Sequence, residues 1–236
     1  MRNSITFRLW GKNAMFSDPI TKLGGELCTY QVPTYEAIKG IVEAIYWKPT
    51  IEWYIDRIKV VKPIQTESKN IKLREVNCNE VSLHRYTYLC DVEYVVEAHF
   101  EWNLARPDLV NDRDENKHHN IAKRYLSRGG KRDIFIGKRE CVGFVEACDF
   151  NSIPSFYDDR KEIDFGIMFH SFIYPTKDDE MLRANLARIT MRQGVIEFDR
   201  PDNPRLLRRD VKEMPYREVA TADDAMDRSV IEEGIV

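Results

Sequence analysis

A chain of 236 residues with 43% hydrophobic content can bury a sizeable core, which excludes global disorder and allows one large domain or a medium one with a smaller partner. Its net charge of −3 excludes an all-round polyanion-binding surface, and no apolar stretch approaches bilayer length. Five cysteines, an odd count without a Cys-x-x-Cys pair, argue against a disulfide framework and a thiolate zinc site; with no signal-peptide apolar segment at the N-terminus, they predict a cytoplasmic protein.

Ile5, Phe7 and Leu9 alternate with polar residues and predict an opening strand. A long irregular segment follows from Gly11 to Val32. Thr34 is the predicted N-cap of a helix whose buried face is Ile38, Ile41, Val42 and Ile45, at i, i+3, i+4, i+7 spacing, and Pro49 ends the element. Gly40 inside it costs about 1 kcal/mol, which predicts the close approach of another backbone. Ile51, Trp53 and Ile55 alternate again, Ile58–Val61 continues a strand, and a polar connection is expected from Lys62 to His84.

Apolar residues then occupy every even position from Tyr86 to Trp102, with a break expected near Cys90-Asp91 because strands seldom exceed ten residues. Asp112 to Arg128 reads as a second helix, with Ile121, Tyr125 and Leu126 inward and Gly129-Gly130 as its stop. Ile134–Ile136 and Cys141–Val145 are strand-like. The order strand-helix-strand-strand-helix-strand predicts an α+β fold: a ferredoxin-like (RRM-like) βαββαβ domain over 1–148. Phe165–Ile173, Ile189–Met191 and Val195–Phe198 predict a small C-terminal antiparallel β-sheet domain over 149–209, and 210–236 an acidic, mobile tail.

Charge is unevenly spread. Lys117 to Arg139 holds eight Lys or Arg against Asp133 alone, a balance of +7, whereas Glu213 to Val236 stands at −5. The basic segment is expected to face an anion. At its start, Lys117-His118-His119 opens the second helix; Asp112 or Asp114 is the cap, and with Asp114 Lys117 falls at the third helical position, where its backbone N–H lacks an intrahelical partner. A cation and a histidine there suit metal-free cleavage of a phosphodiester by its neighbouring 2′-hydroxyl; two exposed histidines on a basic helix are the plain alternative. No carboxylate–histidine spacing completes a metal site, so no metal or cofactor is expected. Tyr46, beside Trp47 and Lys48, is either a hydroxyl-orienting group or a core aromatic, since it lies four residues from Val42. Arg128, Gly129, Gly130, Lys131 and Arg132, with Lys138 and Arg139, suit a phosphate backbone, through a flexible Gly-Gly turn flanked by cations. The odd positions Asp91, Glu93, Glu97 and Glu101 predict an acidic open sheet face that repels RNA, which disfavours a generic RNA-recognition module.

Ser17-Asp18-Pro19, Gly24-Gly25 and Tyr30-x-Val32-Pro33-Thr34-Tyr35-x-Ala37-x-Lys39-Gly40-Ile41 resemble the opening of the CRISPR-associated protein family five, type I-C (Dvulg) subtype. Ala44 to Thr50, Pro63-Ile64-Gln65-x-Glu67-Ser68, Arg106-Pro107-Asp108, Lys117-His118-His119 and Arg132-Asp133-Ile134-Phe135-x-Gly137-x-Arg139-Glu140-Cys141 match the same subtype, in family order from about Phe7 to Arg209. The resemblance implies a RAMP fold and a metal-independent endoribonuclease. Such an enzyme cuts precursor CRISPR RNA at the repeat hairpin and stays on the mature 5′ handle within the type I-C interference complex. It also implies Tyr46, Lys117 and His118 as the catalytic set, and other complex subunits and double-stranded DNA as further partners. A non-catalytic 5′-handle-binding subunit is the alternative, which an isolated His118 would favour.

Overall fold

The computed structural model describes residues 3–22, 26–74 and 81–216. Most of the predicted tail therefore lies outside the described residues, as does the Gly24-Gly25 pair. Strand β1 (Ser4–Ala14) leads through a short helix α1 (Pro19–Lys22) to helix α2 (Tyr35–Ile45). Strands β2 (Ile51–Val60), β3 (Thr66–Arg74) and β4 (Val81–Trp102) follow, then a 3₁₀ turn (Pro107–Asp112), helix α3 (Glu115–Leu126) and strand β5 (Gly143–Ala147). The chain ends in β6 (Ile163–Ile173), β7 (Met181–Met191), β8 (Val195–Glu197) and β9 (Leu207–Glu213).

The first sheet runs in the order β5-β1-β4-β2-β8, with antiparallel neighbours throughout. Its first four strands have the order of the split βαββαβ arrangement, as predicted. The even-position stripe of β4 is the reason for the layering. Tyr88, Val92, Tyr94, Val96, Ala98 and Phe100 are buried with Ile38, Ile41, Val42 and Ile45 of α2 and with Ala122 and Leu126 of α3 in one core. Thr34 caps α2 by accepting from the Ala37 N–H at 3.2 Å, as the spacing required.

Several elements differ from the sequence reading. The polar stretch 62–84 is largely a β-arm: β3 pairs with the first half of β4 from Thr66↔Leu89 to Arg74↔Val81. Its described residues are mostly polar and exposed or half-buried, so hydrophobic alternation marks them only weakly as strand. The break expected near Asp91 is a single residue with φ +50° inside a 22-residue strand, tolerable because the two halves of β4 pair with different partners. Gly40 has nothing within 4 Å of where a Cβ would stand, so no backbone approaches it. Ile134–Ile136 is a loop with one bridge, Phe135↔Val142, and the strand begins at Gly143. Beyond residue 149, β8 returns to the first sheet beside β2, and β9 extends the second sheet (β6-β7-β9) to Glu213, past the boundary at Arg209.

The second sheet docks on α2 through His170. Its ring stacks on Tyr35 at 4.5 Å and its Nδ1 meets the Ser171 hydroxyl at 2.9 Å. Burial pushes the imidazole down to about 4, against a smaller opposing effect of Asp199, so the folded state holds it neutral. An unfolded chain binds that proton near pH 6.5. The stability contributed by neutral His170 is therefore complete above pH 6.5 and lost as pH falls towards 4, by about 3 kcal/mol. Urea titrations across this range should show a smaller acid loss in His170→Gln than in the wild type; equal losses would contradict the linkage.

Candidate active site

Helix α2 stops at Tyr46, whose extended backbone (φ −159°, ψ 127°) lets its N–H close the last turn on Val42 while its ring swings under α3. Trp53 of β2 holds that bend by donating its indole N–H to the Tyr46 carbonyl at 2.8 Å. The ring of Tyr46 lies between Tyr125 and His118, both about 6.0 Å away by centroid. Its hydroxyl meets His118 Nδ1 at 2.8 Å, so residues 72 apart in sequence share one buried contact. Tyr46 is 2% and His118 0% exposed.

The other ring nitrogen of His118, Nε2, is 2.8 Å from the backbone carbonyl oxygen of Asp112. A carbonyl can only accept, so Nε2 carries the hydrogen; in neutral imidazole Nδ1 is then the acceptor, and the Tyr46 hydroxyl donates to it. Burial, reinforced by the charge of Asp112, pushes the Tyr46 phenol up to about 12. It is a hydroxyl at neutral pH and acts by fixing the tautomer.

Lys117 does not touch the imidazole. It reaches the same centre through Asp112, donating to Oδ1 at 2.5 Å. Oδ2 of that carboxylate accepts from the Thr50 hydroxyl at 2.6 Å and from Lys48 at 3.5 Å, and lies 3.4 Å from His118 Nε2. Burial opposes ionisation of Asp112. The bonds from Lys117 and Thr50 and the charge of Lys48 outweigh it and hold the carboxyl below its usual range. Asp112 is the residue that sequence reasoning missed, having been considered there only as a helix cap. Asp114 is the cap, and its side chain accepts from the Lys117 N–H at 3.1 Å. That N–H is thus satisfied internally, not free for a phosphate. His119 is turned elsewhere, into a cleft with Ser4, Thr6 and Cys148.

The Gly-Gly loop adjoins this centre. The Gly130 and Gly129 N–H groups close α3 on Tyr125 and Leu126 at 2.9 and 3.0 Å, with φ of +111° and +85°, which favours glycine at both positions. Lys131 and Arg132 then donate their N–H groups to Ile45 and Ala44 at the end of α2, at 3.1 and 3.0 Å. The loop expected to be flexible is pinned there, because the last carbonyls of α2 need donors. Arg128, Lys131 and Arg132 remain exposed on it. Lys138 and Arg139 lie farther along; Lys138 sits over the Tyr86 ring at 4.7 Å, at the base of the β-arm.

The open sheet face is not the bare acidic row expected. Glu93 pairs with Arg8 at 2.7 Å, Glu97 with Arg57 at 2.5 Å, Glu101 with Arg200 at 2.7 Å and Asp91 with Lys62 at 2.6 Å. The cations come from neighbouring strands, from Lys62 just after β2 and from residue 200, so only assembly of the sheet reveals the neutralisation.

Among curated proteins, the chain is 33% identical over 223 residues to a protein of Mannheimia succiniciproducens named CRISPR pre-crRNA endoribonuclease Cas5d, covering 84% of this chain and 95% of that one. A solved structure titled as a CRISPR-associated protein superposes with a TM-score of 0.69 at 35% identity, over 84% of this chain and 92% of the other. A functionally uncharacterized protein of Streptococcus mutans does so with a TM-score of 0.68 at 40% identity, over the same shares. Residues 4–199 match the family described as CRISPR-associated protein (Cas_Cas5), and the chain belongs to that family.

Proposed function

We propose that this protein is an endoribonuclease that cuts precursor CRISPR RNA at the repeat hairpin without a metal, then keeps the 5′ handle as a subunit of the type I-C interference complex. The observation that carries the reading is the linkage of Lys117 and His118 to Asp112, with Tyr46 on the other nitrogen of His118, next to the exposed cations of the 128–132 loop. The curated relative's name supports the same activity. A merely handle-binding subunit would be favoured by an isolated His118, and His118 stands instead in a polar cluster.

In this reading the 2′-oxygen attacks phosphorus as its proton passes to water, the bond from phosphorus to the 5′-oxygen breaks, and the Nε2–H of protonated His118, whose Nδ1–H then donates to the Tyr46 oxygen, protonates the leaving oxygen and leaves a neutral imidazole. Lys117 offsets the charge on the non-bridging oxygens. The products are a 2′,3′-cyclic phosphate, or its opened 3′-phosphate, and a 5′-hydroxyl. Purified protein incubated with its own repeat RNA should cut equally with and without EDTA and leave those ends. Loss of cutting in EDTA, or a 5′-phosphate, would overturn the mechanism.

Arg128, Lys131, Arg132, Lys138 and Arg139 are proposed to follow the RNA backbone. Lys131→Ala with Arg132→Ala should weaken repeat-RNA binding and flatten its salt dependence by up to about 1.4 in log–log slope. An unchanged slope in filter-binding titrations would remove this loop from the RNA path.

A further inference from the structure

Four donors from two separate segments converge on the Asp112 carboxylate: Lys48 and Thr50 after α2, and Lys117 and the Nε2–H of His118 on α3. Two of them are the groups to which the proposed chemistry assigns the phosphate charge and the leaving oxygen. The anion at their focus belongs to the protein itself. While it stays there, the donors are engaged and His118 has no exposed surface.

Asp112 ends a solvent-facing turn. The turn Pro107–Asp112 has no buried residue and a kink at Leu109 (φ −98°, ψ 15°). Leu104 is 77% exposed and Val110 53%. The two ends of the segment are fastened independently of the carboxylate. Asn103 bonds Pro49 and Thr50 through its side chain and N–H at 3.1 and 2.9 Å, and Arg113 bonds the Asn103 and Arg106 carbonyls at 3.0 and 3.3 Å. The stretch between those ends can lift while they hold.

We propose that Asp112 occupies the scissile-phosphate position in the resting enzyme, and that the RNA phosphodiester displaces it, taking over Lys48, Thr50 and Lys117 and uncovering His118 Nε2. This inference rests on the endoribonuclease reading above. A carboxylate and a phosphodiester each present two oxygens sharing negative charge, so the exchange replaces one anion by another at the same donors. His118 keeps its Tyr46 contact throughout, and its Nε2–H passes from a backbone carbonyl to a substrate oxygen. The resting state thereby excludes water and unrelated phosphates from the acid.

The test measures binding apart from cutting, with repeat RNA carrying a 2′-deoxynucleotide at the cleavage position. Removing a competing anion should tighten that RNA about ten- to hundredfold in Asp112→Ala, the range of a charge-assisted bond released together with weak ion pairs. Its salt slope should steepen by up to about 0.7 as the one competing negative charge is removed. Asp112→Asn, which keeps the shape and can still accept from Thr50, should lie between wild type and Asp112→Ala, and it decides the matter if the alanine variant does not fold. Affinity and slope equal to or below wild type in the folded variant, with slower cutting of ordinary RNA, would make Asp112 a positioning residue and overturn the proposal. Failure of the endoribonuclease reading looks different: wild-type protein would leave the unmodified repeat RNA uncut, whatever Asp112 does to binding.

Discussion

His118→Ala is expected to slow repeat-RNA cleavage by about 10²–10⁴ while leaving the RNA bound. The reason is the tautomer imposed by its two neighbours: the Asp112 carbonyl and the Tyr46 hydroxyl, each at 2.8 Å, make Nε2 the protonated nitrogen. Among the described side chains at this centre the imidazole, in its protonated form, is the one placed to give a proton to the leaving oxygen, since the Tyr46 phenol is pushed up to about 12 and Lys117 is already shared with a carboxylate. Lys117→Ala should cost about 10²–10³ by removing charge stabilisation. Tyr46→Phe should cost about tenfold, the worth of one hydrogen bond that selects the tautomer. Single-turnover cleavage with a parallel binding titration separates these from lost affinity. Wild-type cleavage by folded His118→Ala would end the assignment of His118 as the acid.

Trp53→Ala is expected to destabilise the fold by about 3–5 kcal/mol, as truncation of a fully buried aromatic does. Trp53 is 0% exposed and packs edge-to-face on Phe100 with centroids 5.4 Å apart. Its indole also satisfies the Tyr46 carbonyl, so the variant should lower both the urea midpoint and the cleavage rate. Trp53→Phe keeps most of the volume and loses the bond, and should cost about 1–3 kcal/mol. A Trp53→Phe protein with unchanged urea midpoint and cleavage would show that the indole bond does not hold the Tyr46 bend.

Elements whose signal is local were legible in the chain. The i, i+3, i+4, i+7 spacing of α2, the Thr34 cap, the even-position stripe of β4 and the Gly129-Gly130 stop each depend on residues within one or two turns, and each lies where it was read. The strand-helix order then leaves few sheet arrangements, and the split βαββαβ order follows. The β-arm was missed because its described residues are mostly polar and exposed or half-buried, so periodicity marks it only weakly. Residues of Tyr46, Lys117 and His118 type were recognisable as candidates, and the family resemblance grouped them.

Only the tertiary structure decided how the site is wired. Residues 46, 48 and 50 meet 112 and 118 across more than sixty positions, and such contacts carry no trace in spacing. The open-face carboxylates read as a repulsive row until the neighbouring strands supplied Arg8 and Arg57. Asp112 looked like a helix cap because capping is a local rule. Its role depends on the charges that surround it once the chain has folded, and burial among those cations makes it the anion at the centre of the site.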